Sequence, residues 1–406
     1  MKLKLLLPLI ILLMSCNESE TLQTSRNPND SALISDTTHD ILDTMVIPVV
    51  HCTNDTLNEL ADLISGIRKE QPKFFSQVFS HKKFIEFSDG FNKKWIEFDS
   101  SRISRLKKFR DEKLKLESGS SDVLFYPFSG PDFLYANTFF PEASTYVLMG
   151  LEPVGSLPDF SGEEKVQDSS LLYFSKIKPS LHAILNFSFF RTASMKTDLR
   201  NQELNGTLHL LFLFIRRTGH DICSVRPGFV DTTGAWRELG DFSELSQKSI
   251  NNKSVEICFT DSAGRKKTLY YFSLHLEDGA LKNNKNMKRY FSNMGDCITY
   301  LKGASYLMHE SYFSEIRNVI LNKSKVVVQD DSGIAIRYFF SSGLKWEYTC
   351  FGNYTKPISL FSYAYQPQLD SLWKVKGSRE IGFGIGYNFK DKNSNLMVAR
   401  KVKPKD

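Results

Sequence analysis

Several signatures are missing from this 406-residue chain, and each omission removes a class of function. No two cysteines stand in a C-x-x-C pair, which excludes a zinc knuckle and a thioredoxin-like redox motif. There is no G-x-G-x-x-G for close backbone approach to a dinucleotide, and no G-x-S-x-G to lift a serine onto a strand-to-helix elbow. No apolar run approaches the ~20 residues that a membrane-crossing helix requires. Charge of one sign is scarce as well. Lys and Arg number 52 against 46 Asp and Glu, a net of +6 that is too small for a dedicated nucleic-acid binder. Tryptophan is limited to 4 residues, and Phe at 32 exceeds Tyr (16) and Trp together, so the aromatic content is mainly core filler.

What is present begins at the first residue. In "MKLKLLLPLIILLMSC", Lys2 and Lys4 precede an apolar run from Leu5 to Met14 that ends in Ser15-Cys16. A basic start, a short apolar centre and a small residue make a secretory signal. Leu13-Met14-Ser15-Cys16 resembles the lipobox of bacterial lipoproteins. The resemblance implies that residues 1–16 are a signal peptide and that Cys16 becomes the acylated first residue of the mature chain, with palmitate among its chains. It also implies that the protein is held by lipid in the cell envelope, at the outer membrane or cell surface rather than the inner membrane. Several acyl chains on one anchor give stable attachment where a single chain does not. Residues 17–40 hold almost no large apolar side chains and are rich in Ser, Thr, Asn and Asp, so a disordered tether is expected over 17–44. Glu18 and Glu20 resemble the acidic export signal that carries some lipoproteins to the surface.

Loss of Lys2 and Lys4 with the signal would leave +4 on the mature chain. The positive charge is local: residues 66–118 hold fourteen Lys or Arg against eight Asp or Glu, the pattern of a solvated basic helix face. Assigning Cys16 to the anchor leaves Cys52, Cys223, Cys258, Cys297 and Cys350. Scattered among Phe and Tyr, they are expected as small core hydrophobes without a disulfide.

Along the chain, "TLNELADLISGI" (56–67) has apolar residues at helical spacing, and Thr56 with Glu59 forms a candidate capping box. Further helices are expected to about residue 118, the last with Ile103, Leu106 and Phe109 on one side, before "SGSS" at 118–121 breaks the pattern. This defines a helical subdomain over 45–118. Over 119–406 the texture changes to that of a mixed α/β domain. "DVLFYPF", "PDFLYANTFF" and "STYVLMGLE" predict a β-α-β unit with Pro131 in the first turn of its helix. "TLHLLFLFIRR" (207–217), apolar on both faces, is expected to be a central strand. "VEICFTD" with "TLYYFSLHL", and "KVVVQ" with "IAIRYFF", are expected hairpins; "KWEYTCF" and "IGFGIGYNF" are expected strands. The fold class is thus α/β, a mixed sheet with flanking helices, preceded by a small helical subdomain.

Four side chains are candidates for chemistry. Ser129 follows a predicted strand, but in "PFSGP" neither outer residue is Gly, so helix capping by Ser129 or Gly130 is the favoured role. The same loop with Glu152, 22 residues beyond Gly130, matches part of a dinucleotide or S-adenosylmethionine fold, but one Gly stands where three are needed. No cofactor is expected. "HESYF" begins like H-E-x-x-H but puts Phe313 at the second ligand position, so no metal is expected and His309 belongs to a core or boundary face with Phe313, Ile316 and Ile320. Asp330-Asp331 ends the strand "KVVVQ", the usual place for functional carboxylates in an open α/β sheet, although Asp-Ser-Gly is also ordinary turn chemistry. Tyr126, Tyr135, Trp346, Tyr348 and Trp373 are candidate stacking surfaces for sugars or peptides. The expected function is a binding or structural role at the envelope, with partners limited to the membrane, through the lipid, and an envelope or extracellular ligand. The alternative is a secreted hydrolase using Asp330, Asp331 and His309 as general acid and base.

Overall fold

The computed structural model describes residues 52–116, 122–160, 172–177, 181, 205–247, 249–389 and 394–402. The signal, the tether, Cys16 and "SGSS" lie outside the described residues.

The first helix is Asp55–Ile64. Its cap is Asn54, whose side chain accepts the N–H of Leu57 at 3.1 Å, and not Thr56. Glu59 is buried and turned the other way, taking the N–H groups of Lys73 (2.6 Å) and Phe74 (2.8 Å) and the Lys69 ammonium (3.1 Å). A glutamate that can organise a distant loop outcompetes one that would only close its own first turn. Ser76–Ser80 follows, and then a long rod. Its Lys82–Phe98 and Ser104–Phe109 segments are α-helical, and Asp99–Ile103 and Arg110–Leu114 are π-helical. Phe84, Phe87, Phe91, Trp95 and Phe98 form its buried stripe, with Ile103, Leu106 and Phe109 continuing it. Phe109 packs edge-on against Phe351 (4.9 Å) and Phe383 (5.1 Å), so these helices share the apolar layer on one face of the sheet.

Ten strands make one mixed sheet: β1 (Val123–Tyr126), β2 (Thr145–Gly150), β3 (Asp221–Val230), β4 (Trp236–Glu238), β5 (Ser254–Thr260), β6 (Lys266–Ser273), β7 (Cys297–Leu301), β8 (Ser324–Gln329), β9 (Trp346–Gly352) and β10 (Asn395–Lys401). Their order is β4-β3-β5-β6-β2-β1-β7-β8-β10-β9. The central five, β6-β2-β1-β7-β8, are mutually parallel, and β10 runs antiparallel between β8 and β9. Alternation along the strands feeds two layers: Leu124, Tyr126, Leu148 and Val328 face one core, and Phe125, Val147, Met149 and Val327 the other. The predicted β-α-β unit is present, with the helix Phe133–Phe139 between β1 and β2, and so is the β5–β6 hairpin.

Three expected strands are something else. Residues 208–217 are a helix, Leu208–Arg217, buried from Leu208 through Ile215. Its apolar residues are Leu and Phe with a single β-branched side chain, Ile215, so helix propensity prevails where burial from Leu208 through Ile215 erased the periodicity. "IAIRYFF" forms no hairpin with β8: Ile336–Ser341 is helical, turning Ile336 and Phe339 inward. Residues 381–389 are turns, because Gly382 and Gly386 have φ of +76° and +65°, outside the range of a strand.

Candidate functional site

A strand order that runs outward in both directions from β1 creates a switch point between β1 and β7, where chains leave the carboxyl edge on opposite sides. Asp132, six residues past the end of β1, and Lys302, one past β7, meet there: Lys302 Nζ stands 2.6 Å from Asp132 Oδ2. The Tyr126 hydroxyl also donates to Asp132 Oδ2, at 3.0 Å. Asp132 Oδ1 accepts the N–H of Tyr135 at 3.1 Å, so Asp132 is the cap of the Phe133–Phe139 helix, with Pro131 outside it. That corrects the expected capping by Ser129 or Gly130. Lys302 also lies over the Tyr135 ring, 3.4 Å from its centroid. Burial pulls its ammonium down to about 8 against the opposing charge of Asp132.

The edge continues at β8. Asp330 and Asp331 are both buried, and they diverge. Asp330 Oδ1 accepts the Ser332 hydroxyl and the Ser332 N–H (3.0 Å), and Oδ2 accepts the Gly303 N–H (2.9 Å). Asp331 Oδ2 accepts the Tyr306 hydroxyl (2.6 Å), and Oδ1 accepts Asn395 Nδ2 (3.1 Å). Burial and then the adjacent Asp331 carboxylate push Asp330 up to about 7; burial raises Asp331 as well. His309 is buried above them, its ring edge-on to Tyr306 at 5.2 Å. Its Nε2 lies 3.5 Å from Gln366 Nε2, and Gln366 in turn donates to the Asp331 carbonyl at 3.2 Å. Burial, reinforced by the Arg337 cation, lowers His309 to about 4, so the imidazole is neutral at physiological pH.

Ser129 stays apart from this group. Its hydroxyl donates to Gly130 O (2.8 Å) and accepts the Met149 N–H (3.2 Å). The backbone N–H groups of Ser129 and Gly130 both donate to Met149 O, at 2.9 and 3.2 Å. The donors that would have to cradle a pyrophosphate are therefore engaged within the fold, and the loop does not fit a nucleotide cofactor. Among the described residues no three His, Cys, Asp or Glu side chains gather in a metal-binding group. Of the candidate stacking aromatics, Tyr126, Tyr135, Trp346 and Trp373 are buried in the cores. The five cysteines of the described chain are free thiols.

The structure thus brings Asp330, Asp331 and His309 into one buried neighbourhood, adds Lys302, Asp132, Tyr306, Asn395 and Gln366 to it, and leaves Ser129 out. Lys302 carried a readable signal, a lysine directly after the buried strand "CITYL". Asn395 and Gln366 carried none, because they arrive from segments 35 and more residues away.

An open concavity lies on a different part of the molecule. Trp95, Asp99, Ile103, Lys107 and Arg110 of the long rod face Leu134, Asn137 and Thr138 of the Phe133–Phe139 helix across about 440 Å³. Arg217 through His220 and the β5–β6 turn, with Asp261 and Arg265, close its remaining sides. Such a volume suits a small molecule.

No protein-family model matches this chain, and no curated protein sequence matches it.

Proposed function

We propose that this chain is an envelope-anchored lipoprotein whose role is to bind a ligand rather than to turn one over. The observation that carries the reading is the engagement of the candidate catalytic groups. Every carboxylate oxygen of Asp330 and Asp331 accepts a hydrogen bond from the protein itself, and the Ser129 hydroxyl is bonded to the backbone on both sides. A hydrolase needs a nucleophile or an acid/base pair aimed at a substrate, within reach of it in an accessible site. These groups instead brace the carboxyl edge of the sheet. The open volume between the rod and the sheet, lined by cations, the Asn137 amide and an indole, supports binding as the alternative use of the scaffold.

Intact-mass measurement and membrane fractionation of wild type and Cys16→Ala test the anchor. An acylated wild type in the envelope fraction and a soluble, unacylated variant are expected; an unacylated wild type overturns it. A screen of esterase, phosphatase and glycosidase substrates tests the absence of turnover. Activity that disappears in Asp331→Asn while the fold persists would make the protein a hydrolase.

A further inference from the structure

The concavity between the long rod and the sheet is lined by four cations, and they are not equivalent. Arg265 is neutralised by Asp261 (2.7 Å) and Glu142 (2.6 Å), and Arg110 by Asp111 (2.7 Å). Arg217 has no carboxylate partner among the described residues. Its Nε donates to Ser65 O (2.9 Å) and its Nη2 to Asn92 Oδ1 (2.6 Å), leaving Nη1 without a described acceptor. The guanidinium is fixed over Phe91 (4.9 Å) and Trp95 (5.3 Å), which holds its plane without cancelling its charge. Burial lowers it only to about 10, so the charge persists at neutral pH. Lys107 likewise forms no ion pair among the described residues. Among the residues that line the space, four cations face two carboxylates, Asp99 and Asp261.

Two further observations point to a ligand. Asn137 is 8% exposed and lines the space. Its Oδ1 accepts the Tyr146 hydroxyl at 3.1 Å, while its amide N–H groups have no acceptor among the described residues. The wall itself is irregular: the π-helical turns Asp99–Ile103 and Arg110–Leu114 bring Asp99, Ile103 and Arg110 to the cavity. Such turns are rare and concentrate at functional sites. Trp95, Ile103, Leu134 and Pro141 supply an apolar lining beside the donors.

We propose that this cavity is a binding site for a small organic anion, a carboxylate or phosphate group on an apolar body, held by Arg217, Lys107 and the Asn137 amide. The inference rests on the binding reading above and names the class of ligand. The anionic head accepts from Arg217 Nη1 and Asn137 Nδ2, Lys107 closes the mouth, and the body lies against Trp95 and Ile103.

The test is calorimetry and thermal shift on the full chain in detergent, with phenylacetate and phenyl phosphate as the two anionic arms and phenylacetamide as the neutral control. At least one anion is expected to bind in the millimolar range or tighter, weakening as salt rises, with the amide at least roughly tenfold weaker. The arm that binds identifies carboxylate or phosphate as the preferred head. Lys107→Ala and Arg217→Gln are each expected to weaken the anion about tenfold, with Arg217→Lys recovering part of the loss and circular dichroism unchanged. Equal binding of anion and amide, indifference to both variants, or no binding of either anion overturns the inference. The binding reading falls separately, through turnover in the hydrolase screen; a neutral ligand found in a wider thermal-shift panel would leave that reading standing and sink only the anion.

Discussion

Lys302 and Asp132 form an ion pair of 2.6 Å with side chains only 1% and 2% exposed, at the point where β1 and β7 part. Residues 170 apart in sequence thus lock the switch point of the sheet. In many doubly wound folds that crevice receives a ligand; here it is closed by the chain's own charges.

Removing one member of the pair leaves the other charged and buried. Lys302→Met is expected to cost about 3–5 kcal/mol in urea unfolding. Lys302→Met combined with Asp132→Asn, which removes both charges and keeps a helix cap, should recover more than half of that loss. A double variant no more stable than the single would show that the charge pairing is not what holds this edge.

The stability contributed by Asp330 should fall as pH rises toward neutrality. Asp330 is held at about 7 in the fold against 3.8 ordinarily, so the folded protein keeps a proton that the unfolded chain has released. The contribution is fully present below the unfolded value and disappears as pH passes about 7. His309 and His220, both lowered to about 4, act in the opposite sense, and their contribution disappears as pH falls below 6.5. The Asp330 part is isolated by difference: the melting temperature of wild type minus that of Asp330→Asn should fall as pH rises from about 5 to 7, because the histidine terms are common to both proteins. A difference that stays constant across that range would remove Asp330 from the account.

Gly386 supports the same carboxylate from behind. A Cβ there would fall 2.1 Å from Asp330 Oδ2, on a backbone with φ of +65°. Gly386→Ala is expected to destabilise by at least about 2 kcal/mol, through contact and strain together. Gly382→Ala, at φ +76° but in open space, should cost less, because it carries the strain alone. Equal losses would remove the contact from the account.

Ser129→Ala should behave as a structural substitution. It strips an acceptor from the Met149 N–H, for about 1–3 kcal/mol, and leaves any residual hydrolysis of p-nitrophenyl esters at the wild-type level. Selective loss of ester hydrolysis in a folded variant would restore Ser129 as a nucleophile.

How far the sequence was legible follows from what its patterns encode. Strands of β-branched and aromatic residues bounded by turn chemistry, such as "KVVVQ" and "VEICFTD", were readable because strand propensity agrees with burial. At 208–217 burial from Leu208 through Ile215 erased the period, and only the scarcity of β-branched residues pointed to a helix. At 381–389 the alternation of Gly with Ile, Phe and Tyr imitated a strand, while the positive φ values that forbid one are invisible in composition. The capping box at Thr56 failed because Glu59 had a better partner in a loop 14 residues on.

The same division holds for the sites. Local sequence determined that Asp330-Asp331 would end a buried strand and Ser129 would sit in a turn after another, since hydrophobic runs and turn residues act over a few positions. Only the tertiary structure decided that Asp330 would face Gly303 and Gly386, that Asp331 would be held by Tyr306 and Asn395, and that Arg217 would be left without a carboxylate beside Asn137. Those encounters depend on which strands become neighbours and which helices cover them. Strand order is set by the burial of the whole sheet, a sum over two cores that no short stretch of the chain contains.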